Sequence, residues 1–225
     1  MMNHQINNQI NKQINNQMNN RPEEKITHIA IFGGTFDPVH LGHCAVIKAV
    51  LDNFNYDKLF IVPAVISNFK NKSPRASGLD RMMMLKLSVD KLIKNNKGFK
   101  DKVVVSDIEL KREGVSYTSD TVREIKNKIS ECKVDVVLGD DHVNKLSEWH
   151  DIDYLIKNVR FVFYKRMEFQ VDLNLLPSGI DFIYLKLDRI YKENSTEIRE
   201  NIDKYKNYLD DDVRKYIYSK GLYRS

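Results

Sequence analysis

The chain has 225 residues, of which 42% are hydrophobic and 30% charged, a composition that suits one well-cored globular domain. Its 36 Lys and Arg against 31 Asp and Glu give a net charge of +5, but the basic residues are scattered among acidic ones, so charge does not indicate a nucleic-acid partner. No apolar run is long enough to cross a membrane, and the two cysteines, Cys44 and Cys132, belong to no CxxC pair that would indicate a zinc site.

The first 20 residues repeat a Gln-Ile-Asn unit every four positions, in the stretch MMNHQINNQINKQINNQMNN. Ile6, Ile10, Ile14 and Met18 could form a stripe on a helix that binds a partner. Asn is a poor helix former, however, and so polar a tract cannot bury enough surface to offset its ordering entropy. We therefore predict a disordered extension over residues 1–22 and a single domain over residues 23–225.

From residue 26 onward, predicted strands alternate with predicted helices. The predicted strands are 26–32, 58–64, 103–108, 134–139, 160–164 and 180–187. The predicted helices are 41–54, 79–93, 118–130, 143–149, 153–157, 196–205 and 211–220. This alternation predicts an α/β fold, a doubly wound Rossmann-like parallel sheet flanked by helices, with a small C-terminal helical part. Ligands of such sheets lie beyond the carboxyl ends of the strands.

The stretch GGTFDPVHLGH, residues 33 to 43, follows the first predicted strand. Gly33 and Gly34 allow a sharp turn and a close approach of a ligand to the backbone. The next helix begins here with free N–H groups, and His40 and His43 project from one face of its first turn. Imidazoles at that place can donate hydrogen bonds to phosphate oxygens and, if protonated, offset developing negative charge. The stretch predicts a site for a nucleotide triphosphate.

Two other interpretations of this stretch remain open. Asp37, His40 and His43 could bind a metal ion, or Asp37 could belong to an Asp-Pro turn while His43 packs in the helix. The stretch matches neither the Walker A pattern nor GxGxxG.

A second candidate phosphate element is NSTEIR, residues 194 to 199. Ser195 or Thr196 can cap a helix whose first N–H groups face an anion, and Arg199 lies one turn further on the side of Ser195. An Arg there can hold a phosphate through two N–H bonds. The alternative is a capped helix with a surface Arg.

Together these elements resemble the nucleotidyltransferase superfamily, whose HxGH signature corresponds to residues 40–43 and whose Ser-Thr-x-x-Arg signature corresponds to residues 195–199. The resemblance implies that a substrate phosphate attacks the α-phosphorus of ATP or CTP and that pyrophosphate leaves. It implies His40, His43 and Arg199 as catalytic residues. The implied ATP-binding residues are Gly33, Gly34, Thr35, Phe36, Ser195, Thr196 and Ile198.

Within that superfamily, residues 26 to 222 resemble the bacterial-type nicotinate mononucleotide adenylyltransferases. Three segments carry this resemblance: VPAVISNFKNKSPRASGLDRMMML (62–85), SYTSDTV (116–122) and LGDDHVNKLSEWHD (138–151). The implied substrate-binding residues are Lys70, Tyr117, Thr118, Gly139, Asp141, Trp149 and His150. Lys72 and Arg75 are alternatives to Lys70 for reaching the phosphate.

Each implied substrate contact has a physical rationale. Trp149 offers a flat apolar platform for a pyridine ring, and backbone N–H groups around Thr118 and after Trp149 would bind its carboxylate. Asp141 would accept hydrogen bonds from ribose hydroxyls. Taken one at a time, Trp149 could instead be a core residue and Thr118 a helix cap. His150 stands where many members of the family have an aromatic residue.

The expected reaction is therefore transfer of the adenylyl group of ATP to nicotinate mononucleotide, a step of NAD biosynthesis. The alternatives are the same chemistry on nicotinamide mononucleotide, phosphopantetheine or FMN, and a nucleotide-sensing module without catalysis. Mg²⁺ is expected as a cofactor carried mainly by the ATP phosphates, because the sequence has no carboxylate cluster for a dedicated cage. We expect a cytoplasmic protein, leave a nuclear pool and a homo-oligomer open, and expect neither nucleic acid nor membrane as a partner.

Overall fold

The computed structural model describes residues 26–65, 73–112, 114–115, 117–166, 172–188 and 194–224. The tract 1–22 and the candidate phosphate residues Lys70 and Lys72 lie outside the described residues. The strands are β1 (His28–Gly34), β2 (Lys58–Pro63), β3 (Val103–Val105), β4 (Lys133–Gly139), β5 (Arg160–Tyr164) and β6 (Phe182–Leu185). They form one six-stranded sheet in the order β3-β2-β1-β4-β5-β6, and every pair of neighbours is parallel. The predicted doubly wound sheet is confirmed.

Helices cover both faces of this sheet. The α-helices are α1 (Leu41–Asn53), α2 (Gly78–Asn95), α3 (Thr118–Lys128), α4 (Ile152–Asn158), α5 (Ser195–Glu200) and α6 (Asp211–Lys220). A 3-10 helix, Asp140–Glu148, follows β4, and shorter ones span Lys97–Phe99, Leu173–Leu175 and Lys206–Tyr208. No helix among the described residues is long and apolar enough to cross a membrane.

The core consists of two apolar clusters, one on each face of the sheet. Within β1, Ala30 and Phe32 belong to the first cluster, and Ile29 and Ile31 belong to the second. All four are at most 2% exposed. Successive side chains of a strand point to opposite faces, so a strand in a sheet covered on both sides reads as a continuous apolar run.

Three predicted elements differ from the structure by three or more residues at one end. β3 stops at Val105, because the chain then turns so that Ile108 packs into the second cluster. The helix predicted over 196–205 ends at Glu200, because Asn201 leaves helical geometry and its side chain accepts a hydrogen bond from the Lys204 N–H. The helix predicted over 143–149 is a 3-10 helix that already begins at Asp140.

The strand order determines where a ligand is expected to bind in this fold. The chain proceeds from β1 to β2 on one side and crosses back to β4 on the other, so β1 and β4 are neighbours at the topological switch point. Connections leaving their carboxyl ends diverge there and open a crevice. Both β1 and β4 end in glycine, Gly34 and Gly139.

Candidate active site

A cavity of about 510 Å³ opens at the carboxyl edge of the sheet, over the switch point between β1 and β4. Most of the predicted site residues line it, although they come from four separate parts of the sequence. They are Gly33, Gly34, Thr35, Phe36, His43, Tyr117, Thr118, Gly139, Asp141, Trp149, His150, Ser195 and Thr196. The two predicted phosphate elements therefore share one cavity with the predicted pyridine end.

Three predicted residues are described but do not line this cavity. Ile198 is fully buried in the first apolar cluster, so its side chain is a core residue. His40 lies behind His43, with the two ring centroids 3.7 Å apart. Arg199 donates to the Asp37 carbonyl oxygen through Nη1 and to Thr196 Oγ1, 3.1 Å away, through Nη2.

The two glycines at the end of β1 meet different surroundings. A Cβ at Gly33 would have nothing within 4 Å, so this backbone faces open space that a ligand can enter. A Cβ at Gly34 would lie 3.0 Å from Cζ of Phe36. Phe36 itself is 1% exposed and adopts a φ of 48°, a left-handed conformation that is costly for an aromatic residue. Such strain is typical of functional sites, and here it places the Phe36 ring against His43, with centroids 4.9 Å apart.

His43 presents a hydrogen-bond donor to the cavity. Its Nδ1 accepts a hydrogen bond from the backbone N–H of His40 at 3.2 Å, one half of a capping box at the start of α1. Because Nδ1 acts as the acceptor, the proton of the neutral imidazole resides on Nε2. The fold therefore fixes the tautomer that can donate to an anionic oxygen.

His40 is a neutral, buried imidazole. It is 5% exposed, and neither of its ring nitrogens has a hydrogen-bond partner among the described residues. Burial, and secondarily the positive charge of Arg166, lower the pKa of His40 from 6.5 to about 3. Burial therefore favours the neutral imidazole at His40 near neutral pH. Buried polar atoms without a partner are rare in native proteins, which is consistent with a ligand supplying one.

The lowered pKa of His40 predicts a pH effect on stability. As pH falls from 6.5 toward 4, the unfolded chain binds a proton at His40 that the folded chain rejects until about pH 3, so the free energy of unfolding falls. The slope for one such group approaches about 1.4 kcal/mol per pH unit. Urea unfolding of wild type and His40→Phe over this range measures it, since the other histidines cancel in the difference. Parallel curves for the two proteins would contradict the shifted pKa.

The helix of the second phosphate element begins one residue earlier than predicted, at Ser195. The N-cap of α5 is Asn194, whose side chain accepts from the Glu197 N–H at 2.9 Å, so a cap at Ser195 or Thr196 is wrong. Ser195 Oγ instead donates to the carbonyl oxygen of Pro38 at 3.0 Å. This contact joins α5 to the loop after β1 and brings both phosphate elements to one wall of the cavity.

The metal interpretation of Asp37, His40 and His43 is not supported. The described residues contain no group of three or more His, Cys, Asp or Glu that could hold a metal ion. Asp37 is 1% exposed, and its carboxylate accepts hydrogen bonds from the backbone N–H groups of Arg75 and Ala76 at 2.9 and 3.1 Å.

Aromatic and imidazole rings form the opposite end of the cavity. Tyr117 and His150 stack with centroids 4.1 Å apart, and Ser119 Oγ lies 3.2 Å from His150 Nδ1. Trp149 is partly buried and meets His142 edge to face, with centroids 5.8 Å apart. Tyr117 is the N-cap of α3, so the alternative of Thr118 as the cap is wrong. This end offers flat surfaces suited to a heteroaromatic ring.

Gly139 and Asp141 depend on each other. A Cβ at Gly139 would lie only 2.3 Å from Asp141 Oδ1, so any side chain there would displace the carboxylate. Asp141 Oδ2 accepts from Arg166 Nη1 at 3.2 Å. This pair places an acceptor and a guanidinium side by side at the cavity edge.

Comparison with known proteins identifies the relatives of this chain. The family model for cytidylyltransferase-like proteins matches residues 31–201. A probable nicotinate-nucleotide adenylyltransferase of Treponema pallidum is 32% identical over 210 residues, which are 88% of this chain and 99% of that protein. The nicotinate-nucleotide adenylyltransferase of Bacillus subtilis is 33% identical over 200 residues, 88% of this chain and 98% of that protein.

The chain belongs to the nicotinate-nucleotide adenylyltransferase family. The family predicted from the motifs is confirmed. Its fold matches a solved structure of Plasmodium falciparum nicotinic acid mononucleotide adenylyltransferase complexed with NaAD, with a TM-score of 0.71 at 21% identity, covering 88% of this chain and 97% of that one.

In this member of the nicotinate-nucleotide adenylyltransferase family, several residues that the sequence analysis did not name as site residues also line the cavity. They include Glu109, His142, Lys145, Arg166 and Asn194. Their common signal is position, since each follows a strand on the carboxyl side, where ligands of a parallel sheet bind. Arg166 lies two residues after β5, so its position made it the easiest of these residues to predict.

Proposed function

We propose that the protein transfers the adenylyl group of ATP to nicotinate mononucleotide, forming nicotinate adenine dinucleotide and pyrophosphate in NAD biosynthesis. One observation carries this proposal: a single cavity joins the glycine turn and His43 at one end to Tyr117, Trp149 and His150 at the other. The names of the curated relatives support the same reaction. Their bacterial origin supports a cytoplasmic location and gives a nuclear pool no support.

The reaction needs no nucleophile from the protein. An oxygen of the nicotinate mononucleotide phosphate attacks the α-phosphorus of ATP, the bond to the bridging oxygen breaks, and pyrophosphate leaves with the electron pair. Because the attacking oxygen is already anionic, the protein contributes position and charge neutralisation. The Nε2–H of His43 and the neutral His40 would donate to the α- and β-phosphates, and Arg199 with Ser195 and Thr196 would hold the β- and γ-phosphates.

The proposal includes Mg²⁺ as an ion bound to ATP, which would neutralise negative charge on the phosphates. Phosphate oxygens and water would supply most of the ligands of this ion.

The nicotinate carboxylate has a candidate receptor at the start of α3. Tyr117, the N-cap, makes no side-chain hydrogen bond to the first turn, and Thr118 begins the helix at the cavity wall. The N–H groups of a helix N-terminus bind anions, and the helix dipole favours negative charge there. Trp149 and the stacked Tyr117 and His150 supply the flat surfaces beside it.

The proposal is tested by pyrophosphate release from ATP and Mg²⁺, with nicotinate mononucleotide and its amide compared under identical conditions. We expect kcat/KM for the acid to exceed that for the amide by at least about a hundredfold, because donors aimed at a carboxylate are left poorly matched by an amide. Equal use of both substrates would keep the adenylyl transfer and contradict the carboxylate receptor. Binding of ATP with no pyrophosphate release on any mononucleotide acceptor would contradict the proposed reaction and favour a sensing module.

A further inference from the structure

Asp37 joins four segments of the chain beneath the triphosphate end of the cavity. Its Oδ1 accepts from Tyr223 Oη at 2.6 Å and from the Ala76 N–H, and its Oδ2 accepts from the Arg75 N–H. Arg199 Nη1 lies 3.7 Å from Oδ2 and donates to the Asp37 carbonyl oxygen. The loop after β1, the segment before α2, helix α5 and the C-terminal tail therefore meet at one buried carboxylate.

The C-terminal tail is folded back to make this contact. Helix α6 ends at Lys220 and is capped by Gly221, which has a φ of 61°, and the Leu222 N–H donates to the Ile217 carbonyl oxygen at 3.0 Å. Tyr223 is itself left-handed, with a φ of 62°, and packs against the first apolar cluster. A non-glycine residue in this conformation costs free energy, which the hydrogen bond and packing of Tyr223 offset.

The Tyr223 hydroxyl is a permanent donor. Burial first, and then the negative charge of Asp37, raise the pKa of Tyr223, although Arg199 and Arg81 oppose this. The phenol therefore stays protonated at any pH at which the protein works, and its proton points to Asp37.

Arg199 takes its orientation from this contact. Its guanidinium spans from Asp37 to Thr196 Oγ1, and Thr196 lines the cavity beside Ser195. Arg81 fixes the backbone after β1 and β2, since its Nη1 donates to the carbonyl oxygens of Thr35 and Ala64 at 2.8 and 2.6 Å. The position of the Asp37 carboxylate thus decides where the α5 phosphate element stands relative to the glycine turn.

We infer that Tyr223 is a positioning residue for the triphosphate, acting through Asp37 on Arg199 and Thr196. The inference rests on the proposed function in that it takes ATP as the occupant of this end of the cavity. It makes the C-terminal tail part of the active-site scaffold, although Tyr223 does not line the cavity.

The test is Tyr223→Phe, which removes one hydroxyl and keeps the ring in place. The matched control is Tyr216→Phe in α6, whose hydroxyl also donates to a carboxylate, Asp80 Oδ1 at 2.8 Å, but has no contact with Asp37. We expect the Kd for ATP with Mg²⁺, measured by calorimetry, to rise about tenfold in Tyr223→Phe and to stay within twofold of wild type in the control. In turnover, KM for ATP should rise while KM for nicotinate mononucleotide does not.

The inference is overturned if the two variants bind ATP equally, or if Tyr223→Phe weakens ATP and nicotinate mononucleotide alike, as general loosening would. A second variant that ends at Leu222 should weaken ATP binding at least as much as Tyr223→Phe, and wild-type affinity in that variant would also contradict it. Failure of the proposed function is seen separately, because wild type would then bind ATP without releasing pyrophosphate when nicotinate mononucleotide is added.

Discussion

Replacing His43 with Ala is expected to lower kcat at least about a hundredfold while the protein stays folded, the loss typical of removing one preorganised donor from a charged transition state. His43 lines the cavity, and its Nδ1 accepts from the His40 N–H at 3.2 Å, so its Nε2 carries the proton that can be donated to developing charge. Pyrophosphate release under saturating substrates measures the loss, and circular dichroism with thermal unfolding checks the fold.

Two further variants separate the helix-capping role of His43 from its donor role. Asn at position 43 can still accept from the His40 N–H but cannot reach as far as Nε2, so we expect a normal melting temperature and a hundredfold loss of kcat. Gln reaches further and places an amide donor near the Nε2 position, so it should recover part of the rate. Near-normal kcat in folded His43→Asn would show that the ring serves α1 and not the reaction.

Replacing Asp135 with Ala is expected to cost about 3–5 kcal/mol of unfolding free energy, because its partners lose their buried counter-charge. Asp135 is 2% exposed at the amino edge of the sheet, opposite the cavity. Arg160 donates two hydrogen bonds to the Asp135 carboxylate, from Nη2 at 2.6 Å and from Nε at 3.2 Å, and Tyr56 Oη donates to the same carboxylate. His28 Nε2 lies 3.3 Å from the same carboxylate.

The measurement is urea unfolding at neutral pH, with Asp52→Ala as the matched control. Asp52 forms a salt bridge with Lys48, four residues earlier on the exposed face of α1, so its loss should cost less than about 1 kcal/mol. For a chain of this size, the Asp135 variant should also melt roughly 10 °C lower. Kinetic constants measured well below that temperature should be close to wild type, since the cluster lies at the far edge of the sheet. Equal destabilisation by the two variants would show that the Asp135 cluster contributes no more than a surface pair.

Short-range sequence patterns were sufficient to predict the class of fold. The alternation of predicted strands with helical segments indicated a parallel sheet flanked by helices and leaves few topologies. The errors came where a local pattern met a tertiary contact or a terminating residue. Ile108 extended the predicted third strand on hydrophobicity alone, but it packs into the cluster on one face of the sheet. Asn201 ended α5 because its side chain serves the following turn.

For the candidate site too, short motifs indicated some features, and others depended on the tertiary structure. Gly33, His43 and Trp149 come from separate short motifs, and the structure places all three on the wall of one cavity. The cap of α5 was misplaced, since Asn194, Ser195 and Thr196 are all good N-caps and only geometry chooses among them. The protonation state of His40 could not be predicted, because it depends on burial and on Arg166, 126 positions later in the sequence.

Composition, periodicity and short motifs thus determined the class of fold and the family, because each of these patterns is carried by residues close together in the sequence. Tertiary structure alone decided that burial and Arg166 lower the pKa of His40, that Arg166 stands beside Asp141, and that Tyr223 reaches Asp37 from the other end of the chain. Those features depend on the distance and desolvation between groups far apart in sequence. Such quantities exist only once the sheet has brought its strand ends together.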